Sequence, residues 1–374
     1  MIIRNYSLNQ MPDYPLERDY DLSQIVFFDI ETTGFAADST YLYLIGCAYY
    51  KENSFWLIQW FSEGIHEEAA ILTAFFEFLK DYKILFHYNG TGFDIPYLQR
   101  KITSLKLSYS FDSFCSIDIY KRITPYKKIF KLSSIKLISL ESFLKIKRQD
   151  TFNGGDLIAV YSGYLGKRSY ENMKKKRDPA YHFPSPTEAD LLLEQLLLHN
   201  ADDLRGLLAI CPILGYTDLF ENPLRILKAA VENSYLMISF EISADLPVKI
   251  NHTDGFTQLE AFGNTATLSV QIFEGELKYF YENYKDYYYL PAEDCAIHKS
   301  IANFVDKEFR VKAKPSNCYT KKSGIFAPQH EYLIAPYFKI SHSDKLSFLE
   351  IHTDFLLQEE HLEQYVHHLL RHML

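Results

Sequence analysis

Asp29 and Glu31 stand two residues apart inside the apolar run Ile25-Val26-Phe27-Phe28-Asp29-Ile30-Glu31. The run reads as a buried strand, where unpaired acids are rare. Residues two apart on a strand point to the same face. Two carboxylates fixed side by side repel unless a cation lies between them. The pair therefore points first to a divalent metal site. Thr32-Thr33-Gly34 follows, and Gly34 is able to turn the chain.

Two further segments supply partners. His199 and Asp203 are four apart in a helical stretch and so share a face, with Leu196 and Leu207 on the same side. Asp94 follows the turn Asn89-Gly90-Thr91-Gly92 and opens another helix. Four carboxylates could thus converge: Asp29, Glu31, Asp94 and Asp203. Four oxygen donors with open positions suit two Mg²⁺ or Mn²⁺ ions. Two such ions, roughly 4 Å apart, stabilise the attacking and leaving oxygens of a phosphodiester displacement. His199, one turn from a ligand, could take a proton from the attacking water. Asp202 is an alternative ligand, but it lies about 100° around the helix from Asp203.

The elements that must hold these residues follow from periodicity. Residues 41–50 and 54–61 are strand-like and close behind the Asp29 strand, which predicts a three-stranded antiparallel meander. Residues 67–80 have helical period, with Ile71, Phe75, Phe78 and Leu79 on one stripe. Residues 84–88 form a fourth strand running into the glycine turn, and the helix from Asp94 carries Pro96 in its first turn. Short helices are expected around Leu140, Phe143 and Leu144. Residues 167–186, polar and proline-containing, read as a loop. Thr187-Glu188-Ala189-Asp190 resembles a capping box that starts the His199 helix, which ends near Pro212. Past residue 220 the pattern changes to alternation, as in Leu268, Val270 and Ile272, with Gly275 as a turn and a closing helix over 359–372. Two domains are predicted, 1–220 and 221–374, as 374 residues suggest.

Composition is ordinary for a globular chain, at 47% hydrophobic and 23% charged. The net charge of −9 does not advertise a nucleic-acid partner. Locally, residues 121–148 hold nine basic side chains against one acid, Glu141, and a second basic cluster spans 167–177. Either stretch could be a solvated surface or a phosphate track. Five scattered cysteines show no zinc or redox spacing, which fits a reduced, cytoplasmic setting. The first residues lack the apolar core of a signal peptide, and no run of eighteen apolar residues predicts a membrane span.

Other residues have quieter readings. Asp118 reads as a surface strand acid, with support of the metal shell as its alternative. His368 and His372 have metal-ligand spacing but no clear third ligand, so an amphipathic helix is favoured. The tyrosine-rich run 279–289 could stack on bases, although aromatic strands explain it more cheaply.

Taken in order, three motifs resemble those of the DnaQ-like 3′-5′ exonucleases: Phe28-Asp29-Ile30-Glu31-Thr32-Thr33-Gly34, Asn89-Gly90-Thr91-Gly92-Phe93-Asp94, and His199-Asn200-Ala201-Asp202-Asp203. Tyr43-Leu44-Ile45-Gly46, Ser139-Leu140-Glu141 and Asp203-Leu204 are similar to features of the YprB-type ribonuclease H-like subgroup. The resemblance spans roughly residues 22–215. It implies a ribonuclease H-like α/β fold, a mixed five-stranded sheet flanked by helices, followed by a smaller α+β domain. It also implies two-metal hydrolysis at the 3′ end of DNA or RNA. Asp29, Glu31, Asp94 and Asp203 would be the ligands, His199 the base, and Asn89, Thr32 and Gly34 substrate contacts. Asn89 could equally anchor its turn. In the superfamily the tyrosine class places Tyr four residues before the last Asp, and the histidine class places His five before it. Here a histidine stands at the tyrosine-type spacing. A non-catalytic nucleic-acid-binding or scaffold protein and a metal-dependent endonuclease are the alternatives.

Overall fold

The computed structural model describes residues 1–148 and 154–374. The chain forms two units: one comprises residues 1–127 and 131–215, the other residues 128–130 and 216–374.

The first unit is built on strands β1 (Ile2–Gln10), β2 (Ile25–Thr32), β3 (Leu42–Lys51), β4 (Ser54–Phe61), β5 (Ile84–His87) and β6 (Cys115–Asp118). They form one mixed sheet in the order β1-β4-β3-β2-β5-β6. The predicted meander β2-β3-β4 is antiparallel, and β5 and β6 add in parallel. The sheet has six strands, not five. The extra one is β1, an antiparallel edge strand on β4 with mostly exposed side chains, which leave little apolar alternation to read.

Helices α1 (Glu68–Leu79) and α2 (Asp94–Ser104) cover one face and α6 (Gly154–Arg177) and α7 (Glu188–Ala209) the other; between them in sequence come α3 (Ile119–Ile123), α4 (Lys127–Phe130), whose last three residues belong to the second unit, and α5 (Leu137–Phe143). Val26, Phe28 and Ile30 of β2 enter a core with Ile71 and Phe75 of α1 and Tyr97 and Leu98 of α2. Each such buried side chain contributes roughly 1.5–3 kcal/mol. Opposite, Tyr43, Leu44 and Phe61 pack on Tyr161 and Tyr164 of α6 and Leu193, Leu196 and Leu197 of α7. The alternation of β2 therefore sends its apolar residues to α1 and α2, and Asp29 and Glu31 to the α7 side.

The expected loop over 167–186 is helical as far as Arg177. Lysine and arginine are good helix formers and suit a helix C-terminus, so the polar run extends α6 until Pro179 approaches. Thr187 caps α7 in the predicted capping box.

The second unit takes in α8 (Gly215–Glu221) from its second residue on and is rich in β-structure. Strands β7 (Arg225–Glu232), β8 (Tyr235–Asp254) and β9 (Thr257–Gln271) form a three-stranded sheet. A second three-stranded sheet consists of β11 (Tyr287–Leu290), β12 (Cys295–His298) and β13 (Val311–Lys312). Strands β10 (Phe273–Phe280), β14 (Tyr319–Gln329), β15 (Phe338–Lys339) and β16 (Ser347–Glu350) close into a barrel. Gly275 lies within β10 rather than before it. After α8, the unit's α-helices are α9 (Lys299–Ala302), α10 (Thr353–Leu357) and the predicted last helix, α11 (Glu359–His372). In the tyrosine-rich run, Tyr281 stacks on Tyr287 at 4.4 Å. A third imidazole, His330, joins His368 and His372, but it stacks on His372 at 4.1 Å, and its backbone N–H donates to His368 Nε2. This is packing geometry. Among the described residues, no helix is long and apolar enough to cross a membrane.

Candidate active site

Strand β2 is paired with β5 only through Ile25–Phe27, so Asp29–Thr32 project beyond the end of the parallel strands. Asp94 begins α2 at that end, after the turn that leaves β5. The backbone N–H of Ile30, between Asp29 and Glu31, favours the charged form of the Asp94 carboxylate.

The turn before Asp94 is held from below. Asp118, at the end of β6, accepts from Asn89 N (2.9 Å), Thr91 N (3.2 Å) and Lys121 N (3.4 Å), and from the Thr91 hydroxyl. It is buried and caps α3, so it is not the surface acid expected. His87 Nδ1 accepts from Gly90 N at 3.1 Å while Nε2 meets Ser116 Oγ at 2.6 Å. Burial pushes this imidazole down to about 4, against the raising effect of Asp118, so it is neutral at pH 7. Its 3.7 Å approach to Asp118 is then no ion pair. Asn89 has φ +59° and its carbonyl accepts from Gly92 N and Phe93 N. The turn-anchoring role of Asn89 is thus visible. Thr32 Oγ1 donates to Gly34 O at 2.9 Å. Gly34 has φ +155°, and a Cβ there would meet Thr40 Cγ2 at 2.8 Å.

Helix α7 brings the third motif. His199 Nε2 lies 3.4 Å from Asp203 Oδ2 and 3.7 Å from Glu31 Oε1. Glu31, His199 and Asp203 each offer a ligand atom, all within 4.8 Å of one another. Among the described residues this is the one such convergence of three or more ligating side chains. Asp202 points elsewhere, to Arg205 at 3.1 Å, as the helical rotation predicts.

Asp29 keeps some accessible surface yet is closely packed round by protein. Burial pushes its pKa well above the carboxylate range, and the charges of Asp203, Glu31 and Asp94 push the same way. Burial likewise raises Asp94 to about 7, partly offset by backbone hydrogen bonds. Asp29 and Asp94, each pushed toward the neutral form, and Glu31 and Asp203 beside them form a donor set that fits divalent cations: hard oxygens whose repulsion is relieved by positive charge between them.

The sequence reading did not single out the residues that hold these acids. Asn200 Nδ2 donates to Asp29 Oδ2 at 2.9 Å, and Gln59 Nε2 donates to Asn200 Oδ1 at 2.9 Å and to Leu197 O at 2.9 Å. Arg148 bridges Asp203 and Glu141. A glutamine in an apolar strand, Gln59 in β4, was the one available signal. Of the nine basic residues over 121–148, eight are exposed, and Arg148 is the exception.

The family model of the RNase_H superfamily matches residues 26–214. The chain belongs to the RNase_H superfamily. All three motifs lie in this RNase_H superfamily region. No curated protein matches the chain. Among solved structures, the chain is similar to the family B DNA polymerase of the archaeon Pyrobaculum calidifontis, with a TM-score of 0.32, 13% identity, and 70% of this chain and 35% of that one covered. It is also similar to E. coli ExoI in its zinc-bound complex with single-stranded DNA, with a TM-score of 0.27, 13% identity, and 58% and 54% covered. The chain thus spans 35% and 54% of the length of these two proteins.

Proposed function

We propose that this RNase_H superfamily chain is a divalent-metal-dependent 3′-5′ exonuclease of the YprB type, hydrolysing phosphodiester bonds of single-stranded nucleic acid. The observation that carries the reading is the convergence of Glu31 with His199 and Asp203, ligand atoms within 4.8 Å of one another, with Asp29 on the same strand tethered to the same helix by Asn200. Asp29, Glu31, Asp94 and Asp203 would hold two Mg²⁺ or Mn²⁺ ions. Such ions, when bound, polarise the scissile phosphate and stabilise charge on the entering and leaving oxygens. His199, beside Glu31 and Asp203, would accept the proton of the attacking water. Thr32, Gly34 and Asn89 border the same end of β2 and are the proposed contacts to the terminal nucleotide. The exposed lysines of 121–147 are suited to phosphates, so binding should weaken with salt. Five unpaired cysteines support a reducing, cytoplasmic setting.

The test is digestion of end-labelled DNA and RNA oligonucleotides with Mg²⁺ or Mn²⁺. Stepwise release of nucleotides from the 3′ end is expected, abolished by EDTA and by Asp29→Ala. Undiminished cleavage by Asp29→Ala would overturn the ligand assignment. Cuts within a circular substrate would instead indicate an endonuclease.

A further inference from the structure

Arg148 makes a contact whose geometry resolves the two oxygens of Asp203. Its Nη2 meets Asp203 Oδ1, and its Nη1 lies 3.3 Å from Glu141 Oε2. The other oxygen, Asp203 Oδ2, faces His199 at 3.4 Å. Glu141 is almost wholly buried on α5. It reaches α7 where Gly206 leaves room, for a Cβ on Gly206 would lie 2.1 Å from Glu141 Oε1. The Arg148 side chain is itself only 16% exposed. A planar fork can serve two carboxylates at once, with directions fixed by its plane, and an ammonium cannot.

We propose that Arg148 is a positioning residue: anchored by Glu141, it holds Oδ1 of Asp203 and so presents Oδ2 to the cations of the acidic cluster. The proposal rests on the metal reading above. It gives Asp203 the counterpart of what Asn200 does for Asp29, with one oxygen tethered by a protein donor and the carboxylate plane set. Loss of an outer partner of this kind typically costs roughly 10–100-fold in metal affinity. Glu141 has no direct part in the chemistry; it keeps Arg148 from swinging to solvent. Its burial would be costly without the cation beside it, so the three residues act as one chain.

The experiment uses the full chain with Arg148→Met, Arg148→Lys, Glu141→Gln and the Arg148→Met/Glu141→Gln pair, each checked for folding by circular dichroism. Mn²⁺ binding is measured without nucleic acid, from the electron paramagnetic resonance of free Mn²⁺. kcat and KM are then measured on an end-labelled oligonucleotide. Arg148→Met should weaken Mn²⁺ binding by roughly 10–100-fold and lower kcat, with KM for the oligonucleotide within about twofold. Arg148→Lys should fall between Arg148→Met and the parent, and decides the matter if Arg148→Met does not fold. The pair should be no worse than Arg148→Met alone. Unchanged Mn²⁺ affinity with a raised KM would make Arg148 a phosphate contact and overturn the proposal. Tighter Mn²⁺ binding in Arg148→Met would make it a competitor of the cation, with the same result. A parent protein that binds Mn²⁺ but digests nothing refutes the nuclease reading, while the Mn²⁺ comparison still decides the role of Arg148. A parent that binds no Mn²⁺ overturns both.

Discussion

Asn200 on α7 occupies the space where a side chain at Gly46 on β3 would stand: a Cβ there would lie 2.0 Å from Asn200 Oδ1 and 2.7 Å from Leu204 Cδ1. Gly46 is also the register partner of Asp29. The absence of a side chain on β3 is therefore what lets α7 come close enough for Asn200 to reach the Asp29 carboxylate. Gly46→Ala should push α7 outward and destabilise the fold by about 1–3 kcal/mol, as overpacking does. Activity should fall further than stability accounts for, since His199 and Asp203 ride on the displaced helix. Thermal melts and kcat, measured side by side, check this. An alanine variant with parental kcat would refute it.

Asp94 predicts a pH dependence with a definite sign. Its pKa stands at about 7 in the folded chain against an ordinary 3.8, and that of Asp29 is shifted the same way. Between those two values the folded protein holds a proton that the unfolded chain has released. Stability of the metal-free protein should therefore fall as pH rises from about 4 to about 7, and level off above. Asp94→Asn removes the buried charge, so in EDTA at pH 8 it should melt higher than the parent by several degrees, while losing activity. Mn²⁺ should reverse the parent's trend, because binding to carboxylates strengthens as they ionise.

Lys101 and Glu68 form a buried ion pair at 2.7 Å behind the segment that follows β2. Lys101 also donates to Thr40 O, and Leu42 N donates to Glu68 Oε1 at 2.8 Å. Lys101→Met strands a carboxylate in the core and should cost about 3–5 kcal/mol. Adding Glu68→Gln should restore most of it, since the amide oxygen still accepts from Leu42. Chemical denaturation of the two variants measures the difference.

Asp118 takes four donors on two oxygens. An amide offers only one acceptor, so Asp118→Asn should cost about 1–3 kcal/mol. It should also lower kcat by loosening the turn that delivers Asp94. A crystal structure of the variant should show the 89–92 turn displaced.

On the proposed mechanism, His199→Gln should reduce kcat by roughly 10²–10⁴-fold, the usual contribution of a general base. Mn²⁺ affinity should stay within a few-fold of the parent. A loss of Mn²⁺ binding instead would identify His199 as a ligand.

The acids were legible because each broke a local rule: Asp29 and Glu31 in an apolar strand, Asp94 after a glycine turn, Asp203 one turn from a histidine on a partly apolar face. Their supports were not. Gln59, Arg148 and Asp118 each rely on a contact distant in sequence: Gln59 to Leu197 at 138 positions, Arg148 to Asp203 at 55 and Thr91 to Asp118 at 27. Spacing along one element says nothing about such pairs. The sixth strand escaped notice because an exposed edge strand needs no apolar face. The end of α6 was misread because a lysine run looks like a loop when only its polarity is weighed.

The hydrogen bond between Asn200 and Asp29 spans 171 positions of sequence. During synthesis, β2, β3 and α2 can assemble long before α7 leaves the ribosome. Until then the acids of β2 lack Asn200, His199 and Asp203, and the cluster is incomplete. A nascent chain or a fragment ending before α7 would thus carry two of the three motifs and remain inert. On the proposed function, the chemistry would be switched on by the last helix of its own domain, and catalysis would report that this unit has finished folding.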